Sequence, residues 1–221
     1  YAGVSLAMTF STPSYADSGA LLTYLAKKEG RYPYLMDDQG KWTVRQDVYY
    51  YDARTKKGSP LSALSNNGSS VGPELGFGFV MGQLLDEPVL VLKSCIGNRG
   101  LGWDLLPPGS KRFMEDGKIY AGYGEKPPVW DADPAKGVDT PPPPFVDKKS
   151  GKPIEWYAGK QYDDFTASIH AVLDNFKQKY PEYADQGFEV AGFVWWQGHK
   201  DGPNPAHNAR YEMNLANLIK A

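Results

Sequence analysis

Cysteine is almost missing from this chain: Cys95 stands alone among 221 residues. An intramolecular disulfide is therefore excluded, while the redox compartment stays open, since a large secreted domain can do without one. Long apolar runs are missing as well, and none nears the ~20 residues that a membrane-spanning helix needs. There is no excess of one charge; a net charge of −2 gives no basic field to attract nucleic acid or an anionic membrane. Histidine is scarce, with three in all. His170 falls beside Ile169 in a helical pattern and reads as structural or solvated, so no zinc cluster is expected. No internal repeat is present. The first residue is Tyr1 rather than methionine, with no signal peptide to read, so the expectation is that residues once preceded it.

What is present describes an ordinary soluble core. Hydrophobic residues make up 41% and charged residues 23%, and the length suits one domain or slightly more. Fifteen tyrosines and six tryptophans supply flat amphipathic surface. Most of it belongs to a core, although sugar clefts use the same rings.

Two apolar runs read as buried strands, Pro88 to Lys93 and Phe188 to Trp195. Continuous runs of this kind suit a parallel sheet covered on both faces. Pro73-Glu74 opens a helix that carries Phe77, Met81 and Leu84-Leu85. Gly76, Gly78 and Gly82 cost helix propensity there, which points to close packing on the sheet. Phe165, Ile169, Val172, Leu173, Phe176 and Tyr180 keep helical spacing, with Asp163-Asp164 in the first turn and Pro181 as the stop. Strands alternating with helices predict an α/β fold. The region 30–70, polar and aromatic by turns, is expected to rim that fold as loops or short strands. Residues 126–153 hold Pro127-Pro128 and the run Pro141 to Pro144, and read as a surface insertion or lid. Tyr211, Leu215, Leu218 and Ile219 are still in helical phase near Ala221 with no stop signal, so more chain is expected to follow.

Two turns carry the chemistry. Lys93-Ser-Cys-Ile-Gly-Asn-Arg-Gly-Leu-Gly-Trp-Asp104 follows the first run directly. Ligands bind at the carboxyl ends of strands in open α/β sheets, and glycines let backbone N–H groups approach developing negative charge. A tight strand-to-helix connection explains the same glycines equally well. Trp195-Trp-Gln-Gly-His-Lys-Asp201 follows the second run. A glutamine amide there can donate to an oxyanion, and Gly198 permits a sharp turn beside it.

Together with Gly72-Pro-Glu-Leu-Gly-Phe-Gly78, these turns resemble in order and spacing the sialate O-acetylesterase-like branch of the SGNH hydrolases. The resemblance spans about Gly30 to Ala221. It implies a three-layer α/β/α flavodoxin-like fold with a parallel central sheet, forming a single domain over 1–221 with the proline-rich insertion inside it. It also implies removal of acetyl groups from carbohydrate by a serine nucleophile and a histidine base. By position, Gly97 would supply an oxyanion-hole N–H and Gln197 an amide donor. Asn98, Arg99, Trp103, Trp196, His199 and Asp201 would line the substrate cleft. The implied partner is a small-molecule or polysaccharide ester, with no metal or organic cofactor required. A polysaccharide substrate would suit secretion or a periplasmic location; nothing in the residues fixes either, nor the oligomeric state.

Departures accompany the likeness. The family's Gly-Gln-Ser-Asn-Met nucleophile turn, which follows its first strand, is missing and would belong before Tyr1. Its Asp-x-x-His block would belong beyond Ala221. The acidic residue that often follows Gln-Gly is His199 here. A self-contained triad of Ser94, His199 and Asp201 has the right residue types. Asp201 and His207 imitate the Asp-x-x-His pair at the wrong spacing, and the glycine and prolines between them read as a surface loop. The alternative function is carbohydrate binding without catalysis.

Overall fold

The computed structural model describes residues 2–8, 21–66, 68 and 71–221, with 2–8 and Leu21 described as backbone. The chain forms two compact units. The first comprises Tyr1–Gly97 and Ala167–Trp196, and the second Asn98–Thr166 and Gln197–Ala221. The chain passes between them at Gly97, at Thr166 inside a helix, and at Trp196.

Mixed α/β structure is found as expected. The first unit holds a five-stranded sheet in the order β3-β2-β4-β1-β8, from β1 (Ala2–Met8), β2 (Arg45–Asp52), β3 (Lys57–Leu61), β4 (Val89–Lys93) and β8 (Phe188–Trp195). β2, β4, β1 and β8 run parallel, and β3 returns antiparallel beside β2. Side chains alternate faces along a strand. Val48 and Tyr50 of β2 pair with Val89 and Val91 of β4, so the four share one face. Leu75 and Phe79 of α2 (Pro73–Leu84) join them in one buried cluster. Tyr49 shows the opposite alternation and meets Tyr180 edge-on, with ring centroids 5.7 Å apart.

The apolar runs after Pro88 and Gly187 are the strands expected, and Pro73 does begin α2. Gly78 and Gly82 make the close approach inferred for them. A Cβ on Gly78 would meet Leu61 Cδ2 at 2.4 Å, and one on Gly82 would meet Val48 Cγ2 at 2.5 Å. Gly76 faces open space.

Other expectations are corrected. Region 30–70 supplies β2, an interior strand whose Val48, Tyr50 and Tyr51 are buried, in place of a rim. β8 lies at the end of the sheet with Val190 and Phe193 exposed, so it is not covered on both faces. The long helix stops early. α3 (Lys160–Leu173) is separated by Asp174-Asn175 from α4 (Phe176–Lys179), and Pro181 opens a 3₁₀ turn. A short helical turn, α1 (Leu21–Thr23), runs into a π-helical stretch over Tyr24–Lys28.

The second unit contains a three-stranded antiparallel sheet, β5 (Phe113–Glu115), β6 (Lys118–Tyr120) and β7 (Val129–Asp131). Ile119, Trp130, Leu106, Ala121 and Ala158 form its core cluster. Segment 126–153 contributes β7 and the buried Trp130. Pro141 to Pro144 have no regular structure, as their composition suggested. α5 (Pro205–Ala209) and α6 (Tyr211–Lys220) close the chain, and α6 follows the expected phase.

Candidate functional site

In the first unit the sheet brings three strand ends to one edge. Ala7 of β1 pairs with Lys93 of β4, and Met8 with Trp195 of β8. Both motif-bearing strands therefore flank the end of β1 and point the same way. This edge is where open α/β sheets bind ligands. The residues after Met8, Thr9 to Ala20, lie outside the described part.

Beside that edge a cavity of about 390 Å³ is lined by Tyr50, Asp52, Lys93, Cys95 and Gly97, among others. Gly97 is exposed on its wall. Lys93 is buried and bonded through Nζ to Glu74 Oε1 at 2.9 Å. Two buried opposite charges offset each other's desolvation only while both are present. Ser94 is buried too, and its hydroxyl is 2.9 Å from that of Ser168.

In the second unit the turn after β8 grips the turn after β4. Asp201, 1% exposed, accepts the backbone N–H of Leu101 at 2.9 Å and of Gly102 at 2.7 Å. Asp104 accepts the N–H of Gly100 at 2.9 Å and the Trp156 indole N–H at 2.9 Å. Three successive N–H groups of the glycine-rich turn thus point at negative charge. The charges are the protein's own carboxylates, in a nest of the kind that binds anions. A Cβ on Gly102 would meet His207 Cγ at 2.4 Å, so the ring packs directly on the turn.

Gln197 sits in the same cluster. Its amide nitrogen donates to Arg99 O at 2.8 Å and to Asp201 Oδ2 at 2.7 Å, while Oε1 is buried and has no partner among the described residues. Both amide hydrogens are committed, and the open valence is an acceptor. In this arrangement Gln197 holds the turn and has no donor left for an oxyanion. The Tyr211 hydroxyl donates to the Gln197 carbonyl and fixes the backbone on the other side.

His207 was expected in a surface loop. Instead Asn204 caps α5, its side chain accepting His207 N–H at 3.2 Å, and the His207 imidazole lies 3.9 Å from Asp201 Oδ1 with 13% side-chain exposure. Burial lowers its pKa below the ordinary 6.5, and the Asp201 and Asp104 charges oppose that shift in part. Tyr120 meets the ring edge-on at 5.5 Å. His207 therefore lies beside Asp201 even though the two stand at the wrong spacing for the resembled Asp-x-x-His block.

The remaining positions divide. Arg99 stacks its guanidinium 4.1 Å from the Trp156 ring centroid and reaches Asp104 Oδ1 at 3.3 Å. Trp103 packs half-buried against the Leu106 cluster. Asn98 is exposed in a left-handed turn, with φ 62°, and His199 is exposed. Trp196, in the first unit, is 61% exposed. His170 Nδ1 lies 3.9 Å from Oδ1 of Asp174, four residues on; both are exposed, and no metal-binding group of three is found among the described residues. Sequence reasoning missed Asp104, which ends the quoted motif but was given no role. The Asn-Arg-Gly-Leu-Gly spacing before it was the available signal.

No family model matches the chain, and no curated protein or solved structure matches it either. Among the described residues no helix is long and apolar enough to cross a membrane.

Proposed function

We propose that this protein is a serine esterase acting on O-acetylated carbohydrate, of the sialate O-acetylesterase-like type that its motifs resemble. The observation that carries the reading is the parallel register of β4 and β8 on either side of β1. Both strands end at the same edge of the sheet, the edge at which open α/β sheets bind ligands, and each leads into one of the two motif turns. The finer flavodoxin-like, three-layer architecture belongs to the same proposal. In the flavodoxin order 2-1-3-4-5 the first strand lies beside the second; here β1 lies beside β4 and β8.

The reaction needs a serine oxygen to bond the acetyl carbon while a base takes its proton. The carbonyl electrons move to an oxyanion held by N–H donors. When the oxyanion collapses, the bond to the sugar oxygen breaks and that oxygen takes the proton. Water then releases acetate from the acyl-enzyme. Under this reading Gly97 offers a backbone N–H. Gln197 becomes a donor only when an amide hydrogen leaves Asp201 or Arg99 O.

A second reading, carbohydrate binding without hydrolysis, is favoured by one observation. The Gln197 amide hydrogens and the Ser94 hydroxyl are engaged inside the protein. Acetate release from an O-acetylated oligosaccharide separates the two. The esterase reading expects turnover that falls strongly in Gln197→Ala through kcat more than KM. Saturable binding of the same oligosaccharide with no acetate above background would establish the binding reading instead.

A further inference from the structure

Among the described residues, more donors than acceptors line the cavity of the first unit. On its floor Asn66 is 9% exposed, and the Tyr50 hydroxyl approaches its Oδ1 at 3.4 Å. Burial raises the Tyr50 pKa far above its usual value, so this phenol stays a neutral donor. The other end of the Asn66 amide, Nδ2, is buried and has no hydrogen-bond partner among the described residues. A buried unpaired amide costs free energy unless something fills it. Beside it Lys93 gives one ammonium hydrogen to Glu74 and has two more.

The rim adds positive charge. Arg54 and Lys57 are exposed there on the turn and strand that follow Asp52. The Asp52 carboxylate is drawn into that turn, accepting the N–H of Arg54 at 2.9 Å and of Thr55 at 3.0 Å. Ser65 Oγ is also occupied: it takes the Ser62 N–H at 2.8 Å and gives its hydrogen to Pro60 O at 2.9 Å. With Glu74 balancing Lys93, the two rim cations outweigh Asp52. The site lies where β2 and β4 end, since Asp52 and Lys93 are register partners.

We infer that this cavity binds a small molecule headed by an oxyanion, a phosphate or a carboxylate, with the Asn66 amide and Lys93 as buried donors and Arg54 and Lys57 as the rim clamp. Its volume lies in the range of about 300–1,000 Å³ usual for small-molecule sites. The inference stands on the first unit alone and does not depend on the esterase reading.

Cys95 lines the same cavity and is the chain's sole thiol, so it reports occupancy. The experiment measures alkylation of Cys95 by N-ethylmaleimide at low salt, titrating inorganic phosphate or lactate against glycerol as a neutral control. Saturable protection by one or both anions, and none by glycerol, is expected; the anion that protects names the head group. Arg54→Gln alters an exposed residue and leaves the fold intact, and it is expected to weaken protection about tenfold. Asn66→Ala, checked for folding by circular dichroism, is expected to do the same. Three results would overturn the inference: no protection by either anion, equal protection by glycerol, or wild-type affinity in both variants.

Discussion

At the residue scale, the second unit is organised by one buried carboxylate. Asp201 takes two backbone N–H groups and the Gln197 amide, and each hydrogen bond to a charged group is worth about 1.5–3 kcal/mol. Asn at this position keeps the shape but brings an NH₂ against those donors. Asp201→Asn is therefore expected to cost about 3 kcal/mol in urea unfolding, and a change below about 0.5 kcal/mol would deny the clamp its role. His207 gives a pH dependence of definite sign. Its pKa in the folded protein lies below the unfolded value, so the unfolded chain binds its proton first. The His207 contribution to stability is then fully present above about pH 6.5 and is lost as pH falls through the folded pKa. Unfolding free energies of the wild type and His207→Gln should converge on acidification below pH 6.5, with Asp201, Asp104 and Tyr120 as the groups facing the ring. Parallel curves would contradict this. The pairing of Asp201 with His207 was obscured in the sequence because Gly202, Pro203 and Pro205 look like loop residues. Only the Asn204 cap reveals the short helix that turns the ring back.

Elements show where local pattern suffices. β4 and β8 were legible because a branched apolar run of that length has few alternatives, and α2 because Pro73 sits at its first turn. β2 was not, since Arg45-Gln-Asp-Val-Tyr-Tyr-Tyr-Asp52 buries tyrosines whose rings read equally well as surface. β1 carries Ala2 to Met8, too mixed in composition to separate from a loop without its partners β4 and β8. The break at Asp174-Asn175 was hidden by apolar residues that kept helical phase across it. The glycines of α2 give a direct comparison of propensity with packing. Gly76→Ala adds a methyl in open space and is expected to stabilise by up to about 1 kcal/mol. Gly78→Ala drives a Cβ to 2.4 Å from Leu61 Cδ2, with Val48 and Val91 methyls at 3.3 Å, and is expected to destabilise despite the same gain in propensity. Thermal unfolding of the two variants decides it, and a Gly78→Ala midpoint above wild type would refute the packing account.

For the whole molecule, the α/β class was legible and its division into two compact units was not, because each unit is assembled from segments distant in the chain. The proposed catalysis likewise depends on groups that sequence order keeps apart. Its central claim is that this protein holds an activated serine. Intact-mass analysis after treatment with a fluorophosphonate tests that claim most directly. The account expects one phosphonyl adduct per chain, prevented by an O-acetylated oligosaccharide and accompanied by loss of acetate release. An unchanged mass under conditions that label a known serine esterase would contradict it.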